Sequence, residues 1–262
     1  YCATGKFKEA NDLAVRTSHW QDGGEGGRHL GFALKIDMDA SGAVRDYRRI
    51  CNYETGEITV QWSDERGAWK RRSFVSRDAD VAVFELQASS AGKLNCAISL
   101  QMPAEMNFPK GLKTKCLHTK DYLNIRVNYA APMDTIGYEG GIRVKQKGGS
   151  SFLRNDTLYI KDASEILLLS RTQKYPENCG AEWNKGLLKK GLDAIRANYN
   201  GLLKAHKALH TSIYNRVRID LGATPQERSL SNEELLEKQK NTDQPVLALW
   251  ERIFDAGRYH FL

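Results

Sequence analysis

Residues 47–89 read YRRICNYETGEITVQWSDERGAWKRRSFVSRDADVAVFELQAS, and this stretch decides the fold class. Apolar and polar residues alternate in short runs, and the glycine-containing turns ETGE and DERG separate the runs. Alternation with a period of two residues is typical of strands that bury one face. The stretch therefore predicts consecutive β-strands joined by tight turns, at residues 44–53, 58–64, 69–76 and 81–88.

The same pattern extends from about residue 29 to about residue 171. Further strands are predicted at residues 29–38, 94–101, 112–118, 123–129, 142–146, 157–161 and 165–171. About eleven strands without intervening helices favour antiparallel pairing in a sandwich or barrel. Because an immunoglobulin-type domain has fewer strands, we predict a large antiparallel β-sandwich of about ten or more strands. One amphipathic helix is predicted before it, at residues 5–18.

Near Pro176 the hydrophobic period changes from two residues to that of a helix. Residues 181–209 place apolar side chains at steps of three and four, which predicts two helices with a break near Asn200 and Gly201. Residues 217–221, VRIDL, predict a single short strand.

Two more helices are predicted towards the end of the chain. Ser231 is followed by two glutamates, which is typical of a helix N-cap. Residues 245–262 predict a last helix that is apolar on most of its circumference and is therefore expected to be buried. Since the chain begins at Tyr1 and ends within this helix, we expect it to be a piece of a longer protein.

These patterns divide the chain into three parts. Residues 1–175 form a β-sandwich domain with an N-terminal helix, and residues 176–228 form a helical linker with one short strand. Residues 229–262 form a third, helical part. The last helix carries more apolar surface than a soluble monomer usually leaves in water. We therefore expect the helix to be covered, either in a homodimer or by folding back on the sandwich.

Composition limits the functional classes. The chain has 262 residues, of which 41% are hydrophobic and 27% charged, so it is globular rather than disordered. No apolar run reaches the about 18 residues that a membrane-spanning helix needs, so we expect neither a membrane-spanning helix nor an intact signal peptide in this sequence. Residues 182–218 carry eight Lys or Arg against two acids, a charge of +6. Because no nucleic-acid-binding motif accompanies them, we expect a solvated helix face or one that meets an acidic domain, with neither nucleic acid nor membrane as partner.

Few residues have the spacing of a reactive site. The five cysteines are odd in number, widely spaced and without a CxxC pair, so neither a disulfide framework nor a metal site is predicted. Cys51 and Cys96 are expected to be small core residues. His206 and His210 are spaced as neighbours on a helix, but no third ligand accompanies them, so we predict a surface pair.

Catalytic residues are not predicted in this chain. Strand-borne acids such as Asp37, Asp39 and Glu85 are expected to face outward or lie in turns, and no carboxylate pair spans a cleft as glycoside hydrolysis requires. Trp62, Trp69 and Tyr122 fit packing within the sheets better than stacking on sugars. The candidates for substrate binding are the residues that flank the glycine-rich loop. They are Trp20 and His29. No cofactor is expected.

Several motifs together resemble a known family. They are the stretch at residues 47–89, LLKAHKALHTSIYNRVRIDLG at residues 202–222, FDAGRYHFL at residues 254–262, and the opening GKFKEANDLA followed by HLGFALKIDM. In their order and spacing they resemble glycoside hydrolase family 95, the α-L-fucosidase and α-L-galactosidase group.

The resemblance implies an N-terminal β-sandwich, a helical linker and a catalytic (α/α)₆ barrel, of which residues 229–262 would be the start. It also implies hydrolysis with inversion at the anomeric carbon. It places the catalytic residues in that barrel, after the position of Leu262, so this chain alone is expected to be inactive. It further implies a periplasmic or secreted bacterial enzyme acting on non-reducing-end fucose or galactose, with its own barrel and carbohydrate as partners. Two alternatives stay open, a stand-alone carbohydrate-binding sandwich and a phosphorylase of a related sandwich-plus-barrel group.

Overall fold

The computed structural model describes residues 4–17, 31–38, 41–89, 94–103, 111–129, 137–174 and 186–262. Within them a helix, α1 (Phe7–Thr17), precedes two antiparallel sheets, and further helices follow the sheets. The predicted large antiparallel sandwich is confirmed, with twelve strands in the described residues.

The larger sheet has eight strands. They are β2 (Arg45–Asn52), β3 (Glu57–Asp64), β4 (Gly67–Ser76), β5 (Val81–Ala88), β7 (Lys113–His118), β8 (Tyr122–Asn128), β9 (Gly137–Lys147) and β12 (Glu165–Lys174). Their spatial order is β2-β3-β4-β5-β12-β9-β8-β7. Strands β2 to β5 form a meander because each follows the previous one through a short turn, as the glycine-containing turns predicted.

The smaller sheet has four strands. They are β1 (Ala33–Asp37), β6 (Leu94–Gln101), β10 (Ser150–Arg154) and β11 (Thr157–Ala163), in the spatial order β1-β6-β11-β10. Strand β10 was not predicted. It pairs with β11 through a two-residue turn in which Asn155 and Asp156 both have positive φ, 49° and 55°. Such turns match the twist of a two-stranded ribbon.

The main core lies between the two sheets. Its fully buried side chains include Leu86, Leu123 and Leu168 from the larger sheet and Ile98 and Leu158 from the smaller one. They come from alternate positions along their strands, which point into the space between the two sheets. The smaller sheet leaves the edge strand β2 uncovered, and all eight residues of β2 are exposed. Cys51 on β2 is therefore exposed and not a core residue, whereas Cys96 on β6 is buried as predicted.

Five helices follow the sandwich in the described stretch 186–262. They are α2 (Leu187–Ala194), α3 (Tyr199–Tyr214), α4 (Pro225–Ser229), α5 (Asn232–Lys240) and α6 (Leu247–Tyr259). Helices α2 and α3 pack on the outer face of the larger sheet, where Leu188 and Leu202 join a second core with Phe74, Val83 and Leu169. Among the described residues no helix has the length and apolar character needed to cross a membrane.

The break between α2 and α3 lies at residues 195–198, not near Asn200 and Gly201 as predicted. The Arg143 side chain donates hydrogen bonds to the carbonyls of Leu192 (2.9 Å) and Ile195 (2.7 Å), so it satisfies acceptors that the end of α2 leaves free. The Asn198 side chain then accepts from the Gly201 amide at 2.7 Å and starts α3 as its N-cap.

Two other predictions about this region had opposite outcomes. Residues 217–221 do not form a strand, since no strand of the described chain pairs with them. Ser231 is the N-cap of α5, and its hydroxyl accepts from the Glu234 amide while the Glu234 carboxylate accepts from the Ser231 amide at 2.6 Å. This reciprocal pair is a capping box.

Candidate functional site

The predicted substrate-binding residues Trp20 and His29 lie outside the residues that the structure describes. The polar contacts that the structure does bring together are concentrated where α3 and α6 meet the sandwich. We call this region the helix junction and define it by Tyr53, Arg77, His206, His210 and Tyr259. It joins the β2–β3 turn, the β4–β5 turn and both helices.

The buried face of α3 supplies the centre of the helix junction. Tyr199, Leu202, His206, His210 and Tyr214 recur at steps of three and four residues, and all five are buried. Only 2% of His206 and 3% of His210 is exposed. The prediction of a surface histidine pair is therefore wrong, because this stripe faces the sheet and its turns instead of solvent.

Both imidazoles use both ring nitrogens. Nε2 of His206 lies 3.0 Å from the Thr55 carbonyl, and Nε2 of His210 lies 2.8 Å from the Tyr53 carbonyl. Since a carbonyl can only accept, each Nε2 carries the hydrogen. Each Nδ1 then accepts from Arg77, from its backbone N–H in His206 and from its Nε in His210, both at 3.2 Å.

This arrangement fits neutral imidazoles. Burial lowers the pKa of His206, and the neighbouring His210 and the Arg77 guanidinium lower it further. The His206 ring stacks between Phe74, with centroids 5.1 Å apart, and His210, with centroids 5.2 Å apart. The pair is thus a structural connection between α3 and two turns of the sandwich.

The C-terminal end of α6 is attached to the same region. The Tyr259 ring packs on Tyr53 at 5.3 Å and on His210 at 5.9 Å between centroids. Arg258 donates to the Tyr214 carbonyl at 2.5 Å, and Arg77 donates to the Leu262 carbonyl through Nη2. The terminal helix therefore folds back on the sandwich, one of the two outcomes expected for it.

The other side of α6 is exposed. Trp250, Ile253, Gly257 and Phe261 recur at helical spacing, and we call them the outer stripe. Trp250 is 52% exposed, Ile253 53% and Phe261 91%. The expectation of a wholly buried helix is wrong for this chain, because only the opposite side of α6 packs against α5 and the preceding segment.

The acids on the helix-facing side of the larger sheet do not form a catalytic pair. Glu85 is 4% exposed, so the expectation that it faces outward is wrong. Arg72 donates to Glu85 through Nε at 2.9 Å and lies 3.6 Å from Glu57, which also accepts from the Tyr199 hydroxyl at 2.9 Å. Burial raises the pKa of Glu85, and the hydrogen bond from Arg72 opposes that rise. The carboxylates share one cation instead of facing each other across a cleft.

An open groove of about 410 Å³ lies at the end of β3, β4 and β5. Gln61, Lys70 and Gln87 occupy successive cross-strand positions along it, and Trp62 lines it with a partly buried indole. Trp69 is only 2% exposed and belongs to the core, as predicted. Within the described ranges no three His, Cys, Asp or Glu side chains are grouped to hold a metal ion.

The family model of the glycosyl hydrolase family 65 N-terminal domain matches residues 1–176 of the 262 residues. The chain belongs to this family. The expected class, the N-terminal sandwich of a glycoside hydrolase, is thus confirmed, and the matching model is that of family 65, whereas the sequence motifs resembled family 95.

One solved structure similar to the family 65 domain is assigned as a kojibiose phosphorylase from the human microbiome. The two are 10% identical with a TM-score of 0.49, over 69% of this chain and 27% of that one. This chain therefore spans about a quarter of the length of that structure. No curated protein matches the chain in sequence.

Proposed function

We propose that this chain is the non-catalytic N-terminal region of a carbohydrate-active enzyme and that it holds a catalytic helical barrel in place. The observation that carries the proposal is the two-sided α6. The helix junction attaches one side to the sandwich, while the outer stripe leaves an apolar side free. A helix of this kind is suited to connect a rigid sandwich to a second body.

The size of the exposed side chains supports the proposal that a second body covers the outer stripe in the full-length protein. Fully burying a side chain such as that of Ile253 or Phe261 is worth about 1.5–3 kcal/mol. Exposed apolar patches of several large side chains mark interaction surfaces in soluble proteins. A catalytic barrel is the proposed cover, because the opposite side of α6 is already held by the sandwich.

The experiment compares one substitution in two contexts. Trp250→Gln combined with Ile253→Gln would lower the melting temperature of the full-length parent by several degrees, yet leave the sandwich transition of the isolated chain unchanged. Glu237→Gln on α5, at an exposed position outside the outer stripe, serves as the control in the parent. Equal melting temperatures of the substituted and unsubstituted parent would refute the proposal.

At the finer level we propose that the parent is an inverting exo-glycosidase of the α-L-fucosidase or α-L-galactosidase type, periplasmic or secreted in a bacterium. The support is the order and spacing of the motifs at residues 47–89, 202–222 and 254–262. The parent should release fucose or galactose from aryl α-L-glycosides in the absence of phosphate. Turnover of a disaccharide only with inorganic phosphate would instead identify a phosphorylase.

A carbohydrate-binding module is the second candidate, and the groove beside Trp62 favours it. Trp62, Gln61 and Gln87 all line this groove, and in proteins indoles pack on sugar rings while amides hydrogen-bond to sugar hydroxyls. Calorimetric titration of the isolated chain with fucose- and galactose-terminated oligosaccharides tests this candidate. Binding that Trp62→Ala abolishes would support it, and absence of heat at millimolar ligand would exclude it.

A further inference from the structure

We infer that Arg77, His206 and His210 form an acid-sensitive latch, which holds the C-terminal end of α6 on the sandwich when both imidazoles are neutral and releases it when they are protonated. The latch lies wholly within this chain. It does not depend on the enzymatic role proposed above.

The neutral state satisfies every polar atom of the two rings. Each Nε2–H donates to a carbonyl of the β2–β3 turn, and each Nδ1 accepts from Arg77. The rings are nearly parallel, with an angle of 27° and 5.2 Å between centroids. Neither ring has a free position at which a water or a carboxylate could accept a further hydrogen, since both nitrogens are already bonded.

Protonation converts this arrangement into one of opposed donors. A hydrogen added at Nδ1 of His206 would point at the Arg77 backbone N–H, and one added at Nδ1 of His210 would point at the Arg77 Nε–H. It would also place two imidazolium charges next to each other and next to a guanidinium, where like charges repel. Either the rings or Arg77 must then move.

The surrounding charges do not compensate. Glu54 of the β2–β3 turn pairs with Arg218, and Asp255 of α6 pairs with Arg258. Among the described residues no carboxylate is hydrogen-bonded to either imidazole. Other titratable or charged groups on the elements packed around the pair are Cys51, Tyr53, Asp78, Asp80, Tyr199, Lys204, Lys207, Tyr214, Glu251, Arg252, Tyr259 and His260.

Arg77 transmits the change to α6. The same guanidinium that donates to His210 through Nε donates to the Leu262 carbonyl through Nη2. The His210 and Tyr259 rings also pack against each other in an edge-on contact, with 5.9 Å between their centroids. Displacing Arg77 or His210 therefore removes the contacts of Leu262 with Arg77 and of Tyr259 with His210, and leaves residues 259–262 held only by the packing of Tyr259 on Tyr53.

The direction of the pH effect follows from the folded geometry. Because burial and the neighbouring positive groups lower the pKa of His206, the released state binds protons more readily than the latched state. The latch is therefore intact above the ordinary histidine pKa of about 6.5 and weakens as the pH falls below it.

Nuclear magnetic resonance on the isolated, ¹⁵N-labelled chain tests the latch between pH 8 and pH 5. Imidazole correlations should show the Nε2–H tautomer in both rings at pH 8. As the rings become protonated, amide protection factors at residues 259–262, corrected for intrinsic exchange, should fall at least tenfold, while those of α3 persist. Rings that become protonated without any loss of protection at residues 259–262 would overturn the inference.

Variants separate the latch from general acid sensitivity. His206→Gln combined with His210→Gln cannot be protonated and should remove the pH dependence of protection at residues 259–262. If that pair does not fold, His210→Gln alone should remove most of it, because His210 contacts both Arg77 Nε and Tyr259. The matched control is His260→Gln, an exposed histidine on the same segment. Loss of the pH dependence in His260→Gln, or its survival in His210→Gln, would contradict the latch.

Discussion

The guanidinium carbon of Arg72 lies 4.0 Å from the centroid of the Tyr199 ring. The same guanidinium pairs with the buried Glu85 on β5 and approaches Glu57 on β3. Three strands of the larger sheet and the first turn of α3 thus meet at one arginine. Its contacts explain how a sheet face with acidic side chains can carry a helix instead of facing solvent.

Replacing this arginine should be strongly destabilising. Arg72→Ala leaves the carboxylate of Glu85 buried without its cation, and breaking such a pair costs about 3 kcal/mol. Removing Arg72 also removes the contact that opposes the raised pKa of Glu85. A carboxyl group whose folded pKa is raised is stabilising when protonated, so the loss should be larger at pH 7 than at pH 5. Urea denaturation at both pH values measures it.

Glu85→Gln in the Arg72→Ala background provides the control. The neutral amide has no charge to desolvate, so the double variant should recover part of the lost stability and lose the pH dependence. A double variant that is less stable than Arg72→Ala at pH 7 would contradict this account of the pair.

The β2–β3 turn should not tolerate a side chain at Gly56. Gly56 has φ of +64°, and a Cβ built there would lie 2.9 Å from Nε2 of His206. Left-handed backbone costs a non-glycine residue about 1–2 kcal/mol, and the displaced imidazole adds to that. Gly56→Ala should therefore lower the free energy of unfolding by about 2–3 kcal/mol.

Gly222→Ala is the matched control for Gly56→Ala. Gly222 has φ of +84°, yet a Cβ there would meet no atom within 4 Å. Its cost should be the backbone part alone, about 1–2 kcal/mol. Equal losses for both variants in denaturant melts would show that His206 does not restrict the turn.

The outer stripe should cause self-association of the isolated chain. Trp250 and Ile253 are more than half exposed on one side of α6. Trp250→Gln combined with Ile253→Gln should shift the chain towards monomer in light scattering, with a stability change within about 0.5 kcal/mol, as is usual for surface substitutions. Leu249→Ala, at a buried position of the same helix, should instead cost about 2 kcal/mol and leave association unchanged. An unsubstituted isolated chain that is monomeric at high concentration would contradict this prediction.

The strand pattern was readable because every second residue of a strand points into the space between the two sheets and is apolar there. Val81, Val83 and Glu85 alternate with Ala82 and Phe84, and this period survives in the structure. The pattern could not show which face of β5 meets the smaller sheet and which meets α3. Glu85 was therefore expected outside, although it is buried with Arg72 on the helix-facing side.

The histidine pair could have been placed from the sequence. His206 and His210 continue the helical stripe of Tyr199, Leu202 and Tyr214, and a polar residue within such a stripe faces the core. Their hydrogen-bond partners could not be predicted. These partners are backbone carbonyls of the β2–β3 turn, and a backbone carbonyl is present in every residue type, so it leaves no pattern in the sequence. Only the fold brings residues about 150 positions apart into contact.

At residues 217–221 the sequence pattern predicted a strand that does not form. VRIDL alternates as a strand does, but a strand also needs a neighbour to pair with its backbone groups. The Leu221 amide instead donates to the Glu251 carboxylate at 2.8 Å. Alternation alone could not distinguish an extended segment held by side chains from a paired strand.

The isolated chain should not hydrolyse glycosides. Inverting hydrolysis needs an acid and a base about 6.5–9.5 Å apart on opposite sides of the sugar. The buried Glu85 and the partly buried Glu57 are instead paired with Arg72. Release of nitrophenol from aryl α-L-fucosides and α-L-galactosides should equal that of a blank. Turnover that Glu57→Gln abolishes would show that the sandwich has an active site of its own.

The segment before α4 should separate from α6 in acid. The Glu251 carboxylate accepts from Arg228 Nε at 2.8 Å and from the Leu221 amide at 2.8 Å. The hydrogen bond from Arg228 is the main cause that lowers the pKa of Glu251 to about 2. A carboxyl group with a lowered folded pKa stabilises the protein above its unfolded pKa of about 4.3, and this stabilisation is lost as the pH falls towards 2.

Glu251→Gln should therefore lower the free energy of unfolding by about 1–2 kcal/mol at pH 7, a value reduced for solvent screening of the partly exposed pair. At pH 2 the difference between the variant and the parent chain should shrink below about 0.5 kcal/mol, because protonation has already removed the charge. Glu237→Gln is the control, since Glu237 pairs with Lys240 at an exposed position and should change stability little at either pH. Chemical denaturation from pH 7 to pH 2 measures the free energy of unfolding of the unsubstituted chain and both variants. A loss in Glu251→Gln that is equally large at pH 2 would mean that Glu251 stabilises the segment through packing, because a charged hydrogen bond cannot survive protonation.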